Sequence, residues 1–226
     1  MPLRQFQGPA GRIEALLDEP APPGTIGADG RVSARYPGVV RAAVVFGHPH
    51  TEYGGTMHTK VVYQAAKALS RIGCAVLRFN FRGVGRSAGA WDEGRGEMDD
   101  YRRAVDYMAA AHPGLELWAA GFSFGSYIAM TSACDDDRIC AMIGIAPPVD
   151  RYEFGSVKLS TKPKFVIHGE MDELISLKLV RQFYAALKDP KELVEIDSAN
   201  HLFDGQASEV GDALRELLTD FTCTTP

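Results

Sequence analysis

The stretch of sequence that links fold to chemistry is Leu115-Glu116-Leu117-Trp118-Ala119-Ala120-Gly121-Phe122-Ser123-Phe124-Gly125. Its first six residues predict a buried strand, and a short helix is predicted from about Gly125. The Gly-x-Ser-x-Gly between them is typical of a very tight turn, since only small residues fit two positions before and after the serine. Such a turn lifts the Ser123 hydroxyl above a sheet. The alternative is a glycine-rich loop with an ordinary serine.

Strands and helices alternate on both sides of this stretch. Further strands are predicted over residues 12–17, 42–46, 74–79, 139–146, 164–167 and 193–196. Helical spacing of apolar residues predicts helices over residues 57–71, 96–111, 176–188 and 207–221. This alternation indicates an α/β fold, a doubly wound and mostly parallel sheet with helices on both faces. We expect one domain over residues 1–226, with a surface loop at 20–38 and a frayed tail at 222–226.

Composition excludes several classes of function. The 226 residues carry 24 Lys and Arg against 29 Asp and Glu, a net charge of −5, which argues against a nucleic-acid partner. We expect no membrane span, because no apolar run approaches about 18 residues. The N-terminus leads into no apolar segment, so we expect no signal peptide and a cytoplasmic location. The oligomeric state is not predicted.

The cysteines form no C-x-x-C pair, so neither a zinc site nor a redox dithiol is expected. We expect reduced, buried thiols, as is usual in the cytosol. The four residues concerned are Cys74, Cys134, Cys140 and Cys223.

A serine nucleophile needs a base, and the base needs an acid to orient it. Asp172 follows the strand predicted over 164–167, and His201 follows the strand predicted over 193–196. The carboxyl ends of parallel strands meet at one edge, so the three side chains can converge. We favour Asp172 as the acid. Asp150, Glu170 and Glu173 stay open as alternatives.

Two backbone N–H groups are expected to bind the oxyanion. One belongs to Phe124, the residue after the serine. The other should come from the loop after the strand at 42–46, which contains His48-Pro49-His50 and Gly54-Gly55. We favour the N–H of His50, with residues 51–53 as alternatives.

Two other patterns suggest cofactors without completing a site. His48, His50 and His58 could bind a metal, but no carboxylate or cysteine completes a convincing set, so no metal is expected. Residues 83–89 read Gly-Val-Gly-Arg-Ser-Ala-Gly and fit a dinucleotide loop superficially. No helix is predicted to open there, so no cofactor is expected.

Together these motifs resemble the α/β-hydrolase superfamily, and within it the small bacterial group of predicted α/β hydrolases. The resemblance rests on His48-Pro49-His50…Gly54-Gly55-Thr56-Met57, on Arg78-Phe79-Asn80-Phe81-Arg82-Gly83-Val84-Gly85-Arg86-Ser87, and on Gly121-Phe122-Ser123-Phe124-Gly125. It implies that Ser123 is the nucleophile, Asp172 the acid and His201 the base. Residues 25–38 look like an insertion relative to that group.

Many members of the superfamily carry a helical cap after the strand that corresponds to residues 139–146. Here the next strand begins at Lys164, which leaves room for a loop or one short helix. We therefore expect an open site and a serine hydrolase of carboxylic esters with short or accessible acyl groups. Alternatives are a thioesterase, peptidase or acyltransferase with the same triad, or a non-catalytic interaction protein.

Overall fold

The computed structural model describes residues 3–20 and 39–223. The predicted loop at 20–38 and the insertion at 25–38 therefore lie outside the described residues, apart from Pro20. The strands are β1 (Leu3–Gly8), β2 (Gly11–Asp18), β3 (Ala42–Gly47), β4 (Cys74–Phe79), β5 (Glu116–Phe122), β6 (Ile139–Ile145), β7 (Lys164–Gly169) and β8 (Lys191–Ile196). The helices are α1 (Lys60–Arg71), α2 (Arg95–Ala111), α3 (Phe124–Cys134), α4 (Gly155–Leu159), α5 (Leu177–Ala186) and α6 (Ala207–Leu218).

The strands form one twisted sheet in the order β1-β2-β4-β3-β5-β6-β7-β8. The six strands β3 to β8 are parallel to one another, whereas β1 pairs with β2 and β2 with β4 in antiparallel fashion. This confirms the prediction of a mostly parallel α/β sheet. The chain continues from β3 to β4 on one side and reaches β5 on the other, and open α/β sheets bind ligands at the carboxyl ends of the strands beside such a switch.

Helices cover both faces of the sheet, as predicted. β3, β4 and β7 are buried along their whole length, and β3 is a continuous apolar run, as expected of a strand covered on both faces. One core packs α1 and α6 against the sheet, and a second core on the other face contains side chains of α2, α3 and α5. None of the helices found among the described residues is both long and apolar enough to cross a bilayer.

The link from β6 to β7 carries no cap domain. All of residues 146–163 are described, and the only helix among them is the five-residue α4. The prediction of a loop or one short helix is therefore confirmed, and nothing in this link covers the carboxyl ends of the strands as a separate layer.

The expectation of reduced thiols is wrong for two of the four cysteines, and the expectation of a frayed tail is wrong for residues 222–223, while residues 224–226 lie outside the described residues. Cys140 in β6 and Cys223 are joined in a disulfide, while Cys74 and Cys134 are free. The tail is anchored as far as Cys223, whose N–H donates to Glu116 Oε1 at 2.9 Å. The two cysteines stand 83 residues apart in sequence, so no local spacing indicated the pairing.

Candidate active site

Ser123 occupies the tight turn between β5 and α3 with φ 51° and ψ −123°, a strained backbone for a residue with a side chain. A Cβ at Gly121 would lie 2.1 Å from the carbonyl oxygen of Gly125. A Cβ at Gly125 would lie 2.3 Å from the carbonyl oxygen of Gly47. Neither glycine can therefore carry a side chain. This is the physical basis of the Gly-x-Ser-x-Gly pattern here.

Ser123, His201 and Asp172 form one chain of hydrogen bonds. His201 Nε2 lies 3.0 Å from Ser123 Oγ, and His201 Nδ1 lies 2.7 Å from Asp172 Oδ2. A carboxylate only accepts, so Nδ1 carries the proton in the neutral ring and Nε2 is left to accept from the serine hydroxyl. Ser123 is partly exposed, whereas His201 and Asp172 are buried. Solvent and ligand can thus approach the serine but not the carboxylate.

Asp172 is held as a carboxylate by its surroundings. Its Oδ1 accepts from the N–H groups of Leu174 and Ile175 at 2.9 and 2.8 Å. Burial acts to raise the pKa of Asp172, but the hydrogen bonds from His201 and Ile175 outweigh it and hold the pKa below its ordinary value. The group that faces His201 therefore stays negatively charged near neutral pH.

The loops that carry Asp172 and His201 are fastened to each other. A Cβ at Gly169 would lie 2.4 Å from the carbonyl oxygen of Ala199, so this glycine permits the close approach. Glu170 accepts from the N–H of Ser198, and Glu173 accepts from the N–H of His201. These two alternative acids thus position the backbone of the histidine loop. They do not hydrogen-bond to its ring.

The third alternative acid, Asp150, lies elsewhere. Its closest charged partner is Arg151, at 3.9 Å. Among the described residues no hydrogen bond joins Asp150 to His201, so the geometry favours Asp172.

Sequence reasoning assigned no role to His168, which lies beneath Asp172. His168 is fully buried, and its Nε2 donates to the carbonyl of Ile175 at 2.9 Å and lies 3.5 Å from Asp172 Oδ2. Ile175 in turn donates its N–H to Asp172 Oδ1. His168 therefore fixes the turn that holds the carboxylate, and burial lowers its pKa, so the ring stays neutral. The spacing His-Gly-x-x-Asp was the available signal.

The loop after β3 lies against the nucleophile turn. The ring of His50 lies 5.2 Å, centroid to centroid, from that of Phe124. The N–H of Glu52 already donates to His50 Nδ1, and the N–H of Tyr53 donates to the carbonyl of His50. Within the described residues no acceptor is found for the N–H groups of His50 and Thr51. The candidates for the second oxyanion donor thus narrow to these two.

Phe124 supplies the other expected donor. It is the first residue of α3, where N–H groups lack acceptors within the helix and the helix dipole favours negative charge. This places its amide beside Ser123, as the turn motif requires.

His48 and the glycine-rich loop at 83–89 make hydrogen bonds that stabilise the fold. His48 is buried, with Nδ1 donating to the carbonyl of Pro49 and Nε2 accepting from the N–H of Phe81. The glycine-rich loop at 83–89 packs on β2, where Glu14 accepts from the N–H of Arg86 and donates its own N–H to Ser87 Oγ. No helix opens in that loop, as predicted.

Comparison with known proteins finds relatives that are similar along most of this chain. A family model described as serine aminopeptidase, S33, matches residues 38–157. The uncharacterized protein RP471 of Rickettsia prowazekii is 34% identical over 227 aligned residues, which cover 96% of this chain and 89% of that protein.

Two solved structures match over almost the full chain. XC6422 from Xanthomonas campestris, described as an α/β serine hydrolase without lid, has a TM-score of 0.86 at 33% identity, covering 100% of this chain and 96% of that one. An α/β serine hydrolase homologue from Coxiella burnetii has a TM-score of 0.83 at 32% identity, covering 96% of this chain and 97% of that one.

Proposed function

We propose a catalytic function from the premise that this chain belongs to the family of α/β serine hydrolases described as serine aminopeptidase, S33, and within it to the members without a cap. The proposed reaction is hydrolysis of carboxylic esters with short or accessible acyl groups. The observation that carries it is the hydrogen-bonded chain from Ser123 through His201 to Asp172, set on a strained turn.

In the first half-reaction, Ser123 Oγ attacks the ester carbonyl carbon while His201 Nε2 takes the hydroxyl proton. The imidazolium that forms is stabilised by the carboxylate of Asp172. The carbonyl oxygen becomes an oxyanion, bound by the N–H of Phe124 and that of His50 or Thr51. The tetrahedral intermediate then expels the alcohol, which takes the proton from His201, and an acyl-enzyme on Ser123 remains.

In the second half-reaction, His201 removes a proton from water, and the resulting nucleophile attacks the acyl-enzyme carbonyl. The tetrahedral intermediate collapses, Ser123 Oγ regains the proton from His201, and the carboxylic acid leaves. No cofactor or metal is needed for either half.

The ester bond is favoured because the β6–β7 link is short. A site without a cap has little to grip a long polymer or to exclude water from a reactive intermediate. Small accessible esters make the fewest demands on such a site. Hydrolysis of aminoacyl amides is the second candidate, since the matched family is described as a serine aminopeptidase.

The test combines one variant with a substrate panel. Ser123→Ala should abolish turnover of a short acyl ester and labelling by a fluorophosphonate, with an unchanged circular dichroism spectrum. Retained turnover in this variant would overturn the proposal. The panel of esters, thioesters, aminoacyl anilides and acyl acceptors then separates esterase from thioesterase, aminopeptidase and acyltransferase. Failure of the unmodified protein to react with the probe would favour a non-catalytic role.

We also propose a cytoplasmic location, where the Cys140–Cys223 pair that is joined in the structure would be reduced. The test is the state of the Cys140–Cys223 pair in rapidly alkylated intact cells, since the cytosol keeps most thiols reduced. A fully oxidised pair would contradict this location.

A further inference from the structure

Six aromatic rings form a continuous layer on the oxyanion side of Ser123, called here the aromatic surface. Its members are Tyr53, His50, Trp91, Phe124, Tyr152 and Tyr127. Neighbouring centroids lie between 4.4 and 5.7 Å apart. These rings come from four segments of the chain, so neither a single motif nor a single helix face accounts for them.

The aromatic surface is continuous with the candidate active site. Phe124 follows the proposed nucleophile directly, and its ring contacts those of His50, Trp91 and Tyr152. Phe124 itself is buried, whereas Tyr53 is 81% exposed. Trp91 and Tyr152 are partly exposed on either side of Phe124. A partly exposed aromatic layer beside a nucleophile is typical of a ligand-binding wall.

We propose that the aromatic surface binds an aromatic ring in the acyl group of the substrate, so that the natural substrates are esters of aromatic carboxylic acids. This rests on the proposed esterase function. The carbonyl oxygen would lie between the amide of Phe124 and that of His50 or Thr51, and the rings of Phe124 and His50 belong to the aromatic surface. Atoms a few bonds from the carbonyl carbon therefore meet aromatic side chains.

Ring–ring contact has a signature that hydrophobicity lacks. Aromatic rings attract one another edge to face or offset, beyond the gain from buried area. A cyclohexyl group is at least as hydrophobic as a phenyl group of the same ring size but cannot make such contacts. A merely apolar wall would thus accept the saturated ring at least as well, and only an aromatic wall would prefer the unsaturated one.

The experiment compares methyl phenylpropanoate with methyl cyclohexylpropanoate, measured by acid release. We expect kcat/KM to be about 3- to 10-fold higher for the phenyl ester, the size of one or two aromatic contacts. Trp91→Leu and Tyr152→Leu should each lower this ratio towards unity. Tyr107→Leu is the matched control, because Tyr107 stacks on Phe6 outside the aromatic surface. It should leave the ratio unchanged.

The outcomes are distinguishable. Equal rates on both esters, or a ratio that neither leucine variant changes, would overturn the aromatic subsite and leave the esterase proposal intact. If the protein hydrolyses neither ester although its Ser123 still reacts with a fluorophosphonate, the aromatic subsite is likewise overturned and the esterase proposal is not. Absence of that labelling would overturn the esterase proposal and the subsite with it. The ratio is read within each variant, so a partial loss of folded protein does not alter it, and two independent leucine variants guard against misfolding of one.

Discussion

At the scale of single residues, the site depends on backbone atoms that lie too close together for any side chain. Ser123 adopts its strained conformation because it is the single residue between the end of β5 at Phe122 and the start of α3 at Phe124. Gly125 packs its Cα against the end of β3, so the nucleophile turn and the oxyanion loop are fixed relative to each other. The same contact that shapes the turn therefore sets the spacing of the oxyanion donors.

The first prediction concerns Gly125→Ala. The new methyl would lie 2.3 Å from the carbonyl oxygen of Gly47, so backbone must move. We expect the free energy of unfolding to fall by about 3 kcal/mol, the upper end of overpacking costs, with loss of ester hydrolysis. Chemical denaturation measures the change. Gly155→Ala is the control, because a Cβ there meets nothing within 4 Å. A variant as stable as this control would contradict the account.

The second prediction is a pH dependence that arises from His48. Burial lowers the pKa of His48 to about 4 from the ordinary 6.5, although the hydrogen bond to Pro49 acts in the opposite direction. Between these values the unfolded chain binds a proton that the folded chain excludes. The free energy of unfolding should therefore fall as the pH is lowered from about 6.5 to about 4, by about 3 kcal/mol from this residue.

The check is His48→Gln, whose amide cannot titrate. Its unfolding free energy should decrease less over the same pH range, with a residual slope from His50, His112 and His168, whose pKa values are also lowered. Identical slopes in the two proteins would show that His48 is not the source.

At the scale of secondary-structure elements, a buried ion pair joins the antiparallel edge to the parallel sheet. Arg78 in β4 donates to Asp18 in β2 through Nε at 2.6 Å and Nη2 at 3.2 Å. The side chains are only 1% and 4% exposed. Arg78 also donates to the carbonyl of Met57, which follows the oxyanion loop. The ion pair thus connects β2, β4 and the end of the loop that follows β3.

The third prediction is that Asp18→Ala destabilises the protein strongly. Removing one partner leaves a buried guanidinium without its carboxylate, which costs about 3–5 kcal/mol. Thermal and urea denaturation measure this. Asp99→Ala is the control, because its ion pair with Arg102 on α2 is about half exposed, and such pairs contribute about 0–1 kcal/mol. Equal losses in the two variants would be inconsistent with a special role for the buried pair.

The element scale also separates what the sequence predicts from what it does not. β4 is predicted to the residue, because its apolar residues begin directly after Gly73 and end before Asn80, with Arg78 as the one charged residue. β1 was missed, because this edge strand is exposed at Leu3, Gln5 and Gln7 and its sequence lacks the apolar run of a buried strand. Hydrophobic periodicity does not predict contacts between residues far apart in sequence. The Cys140–Cys223 disulfide is such a contact, because only tertiary packing brings the two cysteines together.

The site was predictable to the extent that chain order and turn chemistry determine it. Ser123, Asp172 and His201 follow β5, β7 and β8, and the carboxyl ends of these parallel strands lie at one edge of the sheet. The choice between Asp172 and its neighbours depended on side-chain direction, which spacing does not give. The aromatic surface was not predicted, since its rings come from distant segments that converge only in the folded chain.

At the scale of the whole molecule, the disulfide ties the end of the chain to the sheet. Cys223 follows α6, and Cys140 lies near the amino end of β6. Arg41 adds hydrogen bonds to the carbonyls of Leu218, Thr219 and Phe221. Phe221 packs on Trp118 and Phe165. The segment from the end of α6 to Cys223 thus packs against the core.

The fourth prediction follows from this anchoring. Closing a loop of 83 residues constrains the unfolded chain, so Cys223→Ser should lower the free energy of unfolding by about 2–4 kcal/mol under oxidising conditions. Cys134→Ser, at a free and partly buried thiol, should change it by much less. A reductant should abolish the difference between unmodified protein and Cys223→Ser. If the reductant leaves the unmodified protein unchanged, the disulfide does not form in solution.

The position of Cys223 indicates where the protein can be attached to a support or a fusion partner. Glu116 and Cys140, its neighbours, lie at the amino ends of β5 and β6, and Ser123 lies beyond the carboxyl end of β5. A tether or fusion partner joined just after residue 223 would start at the opposite pole of the sheet from the nucleophile. A molecule immobilised through that end of the sheet would therefore have its candidate active site facing the bulk solution.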